Sequence, residues 1–294
     1  MHHYGEIIEA RITDQNDQAY FVQADGVTYR LNKSECSETM NVTDVVEGFA
    51  YENMHHEKCF TTDIPEIRKG TFGWAEVVAV RKDLGVFVNI GLIDKDIVVS
   101  LDDMPEGNEY WPKKGDQLFI SLRVDAKNRM WGVLGIEENL KPLFKSGSPD
   151  MMNINVKGRV YRVLNVGVQA ISDAHIPIFI HASEMINPLR LGQTFEGRVI
   201  DYHKKGGTLN VSTKPRAYEA IDDDAAMIQA ILEKAPDHFL PLHDKSHPME
   251  ISNYLGISKG QFKRAVGNLL KNQSIRQEKG KGIYLIKEGS ENGQ

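Results

Sequence analysis

The chain has 294 residues, 41% hydrophobic and 26% charged, a globular mixture that excludes a disordered or fibrous protein and leaves room for several small domains. A net charge of −6, from 35 Lys and Arg against 41 Asp and Glu, argues against a uniformly basic nucleic-acid binder. No apolar run approaches a membrane span, and Met1–Glu6 lacks the basic and apolar regions of a signal peptide, so a cytoplasmic protein without a membrane partner is expected.

The first 65 residues alternate with period two in short runs bounded by turn residues, the pattern of half-buried strands. Glu6–Ile12 and Ala19–Val22 are the first two. Asp25-Gly26 predicts a tight hairpin, because only Gly, Asn and Asp tolerate its positive φ values. Tyr29–Glu35, Val46–Gly48 and Cys59–Pro65 continue the pattern. Residues 1–66 hold 4 basic and 13 acidic residues, a local charge of −9. Such a field repels a polyanion and suits a structural or protein-contacting role. It also predicts that removing residues 1–65 leaves the chain's affinity for a polyanion equal or higher. His55-His56 lacks a third ligand, so a solvated loop is expected there rather than a metal site. Cys36 and Cys59 form no CxxC or zinc spacing and are expected to be reduced and structural.

Residues 66–140 repeat the arrangement, with strands at Trp74–Val80 and Leu84–Ile90, Ile97–Asp103 in the third-strand place, and Asp125 and Arg129 in a later turn over Val124–Arg129. An Asx bond by which Asp125 orders its own turn accounts for that residue equally well. Residues 67–140 carry 10 basic and 12 acidic residues, or −2. Asn139–Asn153, with Pro142, Gly147, Ser148 and Pro149, predicts a linker, and a second follows Pro215.

Residues 154–215 carry the pattern most fully, in Val156–Val160, Val166–Val168, Ile178–Glu184, Leu191-Gly192, Gly197–Ile200 and Leu209–Thr213. Strands this short and this closely spaced close into a small OB barrel. Alternation puts Ile178 and Ile180 inside, so Phe179 and His181 share the outer face, where two rings can stack bases. A contact with a neighbouring domain is the alternative for Phe179. The same parity turns Lys157, Arg159 and Tyr161 outward. Residues 154–216 hold 9 basic and 4 acidic residues, or +5.

A glycine-valine strand, a glycine before the second strand, Ile180-His-Ala-Ser-Glu184 after the third and a closing Leu209-Asn-Val-Ser212 resemble the RNA-binding repeat first described in ribosomal protein S-one. The resemblance matches Asn32 and Ser100 to His181, Gly48 to Gly192, and Gln169 to Phe87. Lys204 and Thr208 stand where the second copy has Asp125 and Arg129. It implies an RNA surface composed from two barrels: Trp74, Phe87, Asp125 and Arg129 on the second, and Lys157, Arg159, Tyr161, Phe179 and His181 on the third.

From Asp222 the period changes to 3.6. Asp222–Asp224 are read as the acidic start of a helix with Met227, Ile228, Ile231 and Leu232 on one face. Phe239–Leu242 predicts a short strand, and Pro248 and Gly256 bound a second helix. Ser258-Lys-Gly-Gln261 is a capping box for a third, with Phe262, Ala265, Val266, Leu269 and Leu270 as its buried stripe. Strands at Ser274–Gln277 and Ile283–Ile286 then flank a Gly- and Lys-rich tip. Helix, turn, helix and hairpin make a winged helix-turn-helix. Its candidate nucleic-acid contacts are Arg264, Asn268 and Lys271, with Gln261 and Lys263 at the margins, and Arg276, Lys279 and Lys281 on the wing. A solvated basic face is the bland alternative. Residues 245–287 hold 9 basic and 2 acidic residues, or +7, and a polyanion senses charge within about 8–10 Å, so this local field outweighs the total.

The expected fold is mostly β with a C-terminal α+β domain. Three tandem OB barrels at 1–65, 66–140 and 150–216 precede a winged helix at 222–290. This order resembles the conserved virulence factor B family of bacterial regulators. The resemblance implies a cytoplasmic protein that binds single-stranded RNA and acts in post-transcriptional control, without cofactor, metal or chemistry of its own. A DNA-binding transcription regulator acting through the winged helix is the main alternative. A scaffold with a protein partner at the acidic first barrel is another. No P-loop, dinucleotide fingerprint, zinc motif or nucleophile elbow is found, so an enzyme is not expected.

Overall fold

In the computed structural model, which describes residues 2–204, 206–215 and 217–286, the chain parts into two units between Lys214 and Pro215. Three closed barrels make the first. β1 (Ile7–Gln15), β2 (Ala19–Ala24), β3 (Val27–Asn32), β4 (Val45–Glu52) and β5 (Lys58–Thr61) form barrel one. Barrel two is β6 (Gly73–Arg81), β7 (Gly85–Asn89), β8 (Ile97–Ser100), β9 (Gln117–Val124) and β10 (Met130–Leu134). Barrel three is β11 (Asn155–Leu164), β12 (Gly167–Ser172), β13 (Pro177–His181), β14 (Thr194–His203) and β15 (Thr208–Ser212). Round each wall the strands run first, second, third, fifth, fourth, with the fifth parallel to the third. This is the OB arrangement.

A bulge interrupts the first strand of every barrel at the same place: between Ile12 and Asp14, Val77 and Ala79, and Val160 and Arg162. One extra residue there breaks strict alternation, so Tyr161 and Arg162 both lie outside the barrel wall. The turn leading into the fourth strand also recurs. Thr43, Gly115 and Gly192 each donate their amide to the bulged strand and have φ of 88°, 90° and 78°. The equivalent of Gly192 is therefore Thr43. Gly48, which the residue pattern matches to Gly192, sits within β4 opposite Ile8, as Gly197 sits opposite Val156.

Buried side chains run unbroken from Phe49 and Phe60 in barrel one to Val77 and Ile120 in barrel two, and Leu191 of barrel three reaches the same cluster. Residues 1–65 thus cover part of barrel two, a dependence that charge alone does not foresee. Barrel three has its own core around Val160, Ile178 and Val211. At the seam between barrels two and three, Leu191 N donates to Tyr110 O and Gln117 N to Gly192 O, at 3.0 and 3.1 Å. A Cβ on residue 192 would lie 2.8 Å from that Gln117 carbonyl, so only glycine fits. The segment expected to be a linker is packed. α1 (Glu137–Leu140) buries Leu140 completely, and Lys145 N and Gly147 N donate to the carbonyls of His175 and Gly207.

Burial pushes the Cys59 thiol up to about 12, and half-buried Cys36 donates to Asn32 O at 3.5 Å. Neither environment activates a thiol.

The second unit comprises α2 (Ala217–Lys234), β16 (Phe239–Leu240), α3 (Pro248–Leu255), α4 (Lys259–Lys271), β17 (Ile275–Glu278) and β18 (Gly282–Leu285), with sheet order β16-β18-β17. This is a winged helix. α2 starts at Ala217, so Asp223 and Asp224 lie inside it rather than at its cap; the Asp222 side chain and residues 287–290 lie outside the described residues. The Ser258–Gln261 capping box forms, and Gly256 closes α3 at φ 69°. Leu270 is 38% exposed and drops out of the buried stripe. Among the described residues no helix is long and apolar enough to cross a membrane.

Candidate nucleic-acid interface

Equivalent positions on the second, third and fifth strands form one row across each barrel. The row reads Phe21, Arg30, Cys59 in barrel one, Phe87, Val98, Trp131 in barrel two, and Gln169, Phe179, Asn210 in barrel three. Asn32, Ser100 and His181 share the position one step beyond, at the end of the third strand.

In barrel two, half-buried Phe87 and Trp131 flank Val98. Asp125 organises the edge of this face. Its Oδ2 accepts from Arg129 Nε at 2.8 Å and from the Trp131 indole at 3.1 Å, while Oδ1 accepts the Lys127 and Arg129 amides. The Arg129 amide first, then its guanidinium and the indole, hold the carboxyl far below its usual range. Asp125 thus orders its turn and also orients Arg129, which lies 5.4 Å from the Trp131 ring centroid. Sequence reasoning misses Trp131. The signal is its place two residues after Arg129, near the start of the fifth strand.

In barrel three, Phe179 is half-buried and His181 exposed, with ring centroids 6.4 Å apart and edge to face. His181 Nδ1 lies 2.7 Å from Ser183 Oγ, which fixes its ring over the following turn. Two amides flank Phe179. Gln169 Nε2 donates to Glu137 at 3.1 Å, and Asn210 Nδ2 lies 3.2 Å from His203 Nε2. Arg162, paired in register with Gln169, is exposed and makes no ion pair among the described residues. Lys157 is exposed and lies 3.6 Å from Glu196.

Three sequence candidates are elsewhere. Trp74, Arg159 and Tyr161 lie in the seam between barrels two and three, with Phe119, Leu140 and Ile171. The Arg159 guanidinium is 4.7 Å from the Trp74 ring centroid, and burial lowers its pKa. Tyr161 is buried, which raises the pKa of its phenol. Parity turns Arg159 and Tyr161 outward correctly, but a neighbouring barrel covers that outside.

On α4, Lys263, Arg264 and Lys271 are exposed, and Gly267 stands among them with no atom within 4 Å of an added Cβ. Gln261 is used inside the protein. Its Oε1 accepts the Ser258 amide and its Nε2 donates to Asp224. Asn268 is half-buried and accepts from Asn272 at 2.7 Å. On the wing, Glu278 lies 3.4 Å from Arg276 and 3.2 Å from Lys281, chiefly the second of which lowers its pKa. Arg276 also covers the Tyr284 ring at 4.2 Å. Lys279 is exposed at the tip. Among the described residues no three His, Cys, Asp or Glu side chains group as metal ligands.

Family profiles match along the chain in the order of these domains. Residues 4–63 match an S1 domain, 72–133 the CvfB first S1-like domain, 140–215 the second domain of virulence regulatory factor CvfB, and 226–285 the CvfB-like winged helix domain. Conserved virulence factor B of Staphylococcus epidermidis is 36% identical over 267 residues, 90% of this chain and 88% of that protein. The chain belongs to the conserved virulence factor B family. Another relative, the YitL protein of Bacillus subtilis, is 37% identical over 94% of this chain and 92% of its own. A Streptococcus pneumoniae crystal structure, described as a multidomain protein with nucleic acid binding domains, is 45% identical and covers 97% of this chain and 99% of its own at a TM-score of 0.69. The family's S1-like and winged-helix domains are nucleic-acid-binding types.

Proposed function

We propose that the protein is a regulator that binds single-stranded RNA and acts in post-transcriptional control of gene expression. The observation that carries this reading is the placing of rings on two barrel walls, Phe87 with Trp131 and Phe179 with His181. Bases in a duplex are stacked on both faces, so ring platforms take unpaired bases. Arg162 and Lys157 supply cations for the phosphates of a strand on barrel three, and the exposed lysines of α4 offer phosphate contacts within their own unit; such contacts position a strand without reading its sequence. The name of the staphylococcal relatives supports a virulence-type regulatory role, and the description of the streptococcal structure supports nucleic-acid binding. Competition among single-stranded RNA, single-stranded DNA and duplex DNA at one salt concentration tests the reading. RNA should displace both DNAs. Preferred binding of duplex DNA would instead assign function to the winged helix as a transcription regulator.

A further inference from the structure

The ring face of barrel two opens into a cleft of about 370 Å³, and one wall of it belongs to barrel one. Met54 and His56, from the loop between β4 and β5, line it together with Phe87, Val98 and Trp131. This size falls in the range of sites that enclose small organic groups, roughly 300–1,000 Å³.

The loop is fixed in that position. Asn53, 3% exposed, accepts the amides of His55 and Glu57 on Oδ1 at 2.9 and 3.0 Å. Its Nδ2 donates to Glu57 and to Asp94, which lies on the loop between β7 and β8 of barrel two. Asp94 also accepts from the Tyr51 hydroxyl at 2.9 Å and takes the Met54 amide on its carbonyl at 3.1 Å. One barrel-two residue thereby clamps three consecutive parts of the barrel-one hairpin. Beyond the clamp, Met54 is 61% exposed, an unbranched thioether beside two half-buried rings. Thioethers adapt to irregular apolar surfaces and pair favourably with aromatic rings.

We infer that an unpaired nucleobase enters this cleft, stacks against the Phe87–Trp131 face and is covered by Met54. The acidic first barrel then supplies one wall of an RNA site on the second. This inference rests on the single-stranded RNA reading and extends it. The acidity of barrel one does not oppose it, because the uncharged part of the nucleotide enters. Glu52 at the wall is engaged by His56 Nδ1 at 2.6 Å, and Lys95 and Arg129, with Asp96, also line the cleft, so two cations are at hand for the phosphates. Asp94 acts as a positioning residue.

The test uses the full chain and a labelled mixed-sequence single-stranded oligoribonucleotide at fixed salt, read by fluorescence anisotropy. Met54→Ala should weaken binding about 2–10-fold, the range of a thioether–ring contact, and Met54→Asp more. Phe87→Ala should weaken it about 5–100-fold, as for loss of one stacked base. The double variant Met54→Ala/Phe87→Ala should lose less than the product of the single effects, since both residues hold the same base. Met54 is exposed, so the urea midpoint should not move in its variants. Unchanged affinity in both Met54 variants, with the wild-type chain binding RNA, overturns the shared wall and leaves the RNA reading standing. A wild-type chain without measurable RNA affinity overturns both.

Discussion

Arg190 holds Asp116 with two nitrogens, Nε on one carboxylate oxygen and Nη2 on the other, each at 3.1 Å. The pair bridges barrels two and three, and its side chains are only 21% and 10% exposed. Arg190→Ala leaves a mostly desolvated carboxylate with the Lys113 amide but no cation, and should destabilise the three-barrel unit by about 3 kcal/mol. Arg190→Lys should recover only part of this, because an ammonium cannot reproduce the fork. Urea denaturation followed by circular dichroism measures both.

Tyr161 and Phe179, both outward by sequence parity, should respond in opposite ways. Tyr161→Ala empties a buried seam and should cost about 3–5 kcal/mol of stability. Phe179→Ala should instead cost about 1–3 kcal/mol in single-strand affinity, with the fold retained. Unchanged affinity in Phe179→Ala, with the circular dichroism spectrum intact, would remove barrel three's ring from the RNA surface.

The wing carries its own counterweight. Glu278 engages Arg276 and Lys281, so Glu278→Gln should steepen the salt dependence of RNA binding. Replacing Arg264, Lys271 and Lys281 together should flatten it, by a slope of about 0.7 for each single-strand phosphate no longer neutralised. Titrations at several salt concentrations measure both slopes. Slopes that do not move in either variant would assign this domain to protein contact.

Gly267 lies inside α4 with open space above it. Glycine costs a helix roughly 1 kcal/mol relative to alanine, so Gly267→Ala should raise the thermal midpoint of the second unit. Loss of nucleic-acid affinity in the stabilised variant would mean that a ligand approaches the backbone here. Calorimetry paired with a binding titration separates the two effects.

Stability should decline at alkaline pH. Burial pushes the Cys59 thiol to about 12 and raises the Tyr51 phenol as well, so the folded state holds protons that the unfolded state releases first. For Cys59 that contribution is fully present below the unfolded thiol value of about 8.5 and is lost as pH rises toward the folded value. Urea midpoints should therefore be steady up to about pH 8 and fall above it. Cys59→Ala should shrink the fall.

Period-two alternation carries most of the fold, because inward positions such as Ile178 and Ile180 announce themselves as apolar. The register that aligns Asn32, Ser100 and His181 follows from the same regularity. Outward positions are harder. Parity says that Arg159 and Tyr161 leave their own barrel, but nothing local says that Trp74 waits on the other side. The bulge that sets Arg162 outside is equally silent in residue type. Gly48 matches Gly192 on identity alone, whereas the backbone needs a left-handed residue at Thr43, where φ is 88°. On the wing, Glu278 is easily passed over amid the lysines around it.

Because buried side chains continue from barrel one into barrel two, opening either one exposes core of the other. An oligonucleotide gripped by barrel two at a hundredfold excess over its Kd adds about 2.7 kcal/mol against opening, and β1 shares that protection although the strand never touches it. Slow amide hydrogen exchange along Ile7–Gln15 would then be a remote gauge of whether Phe87 is occupied.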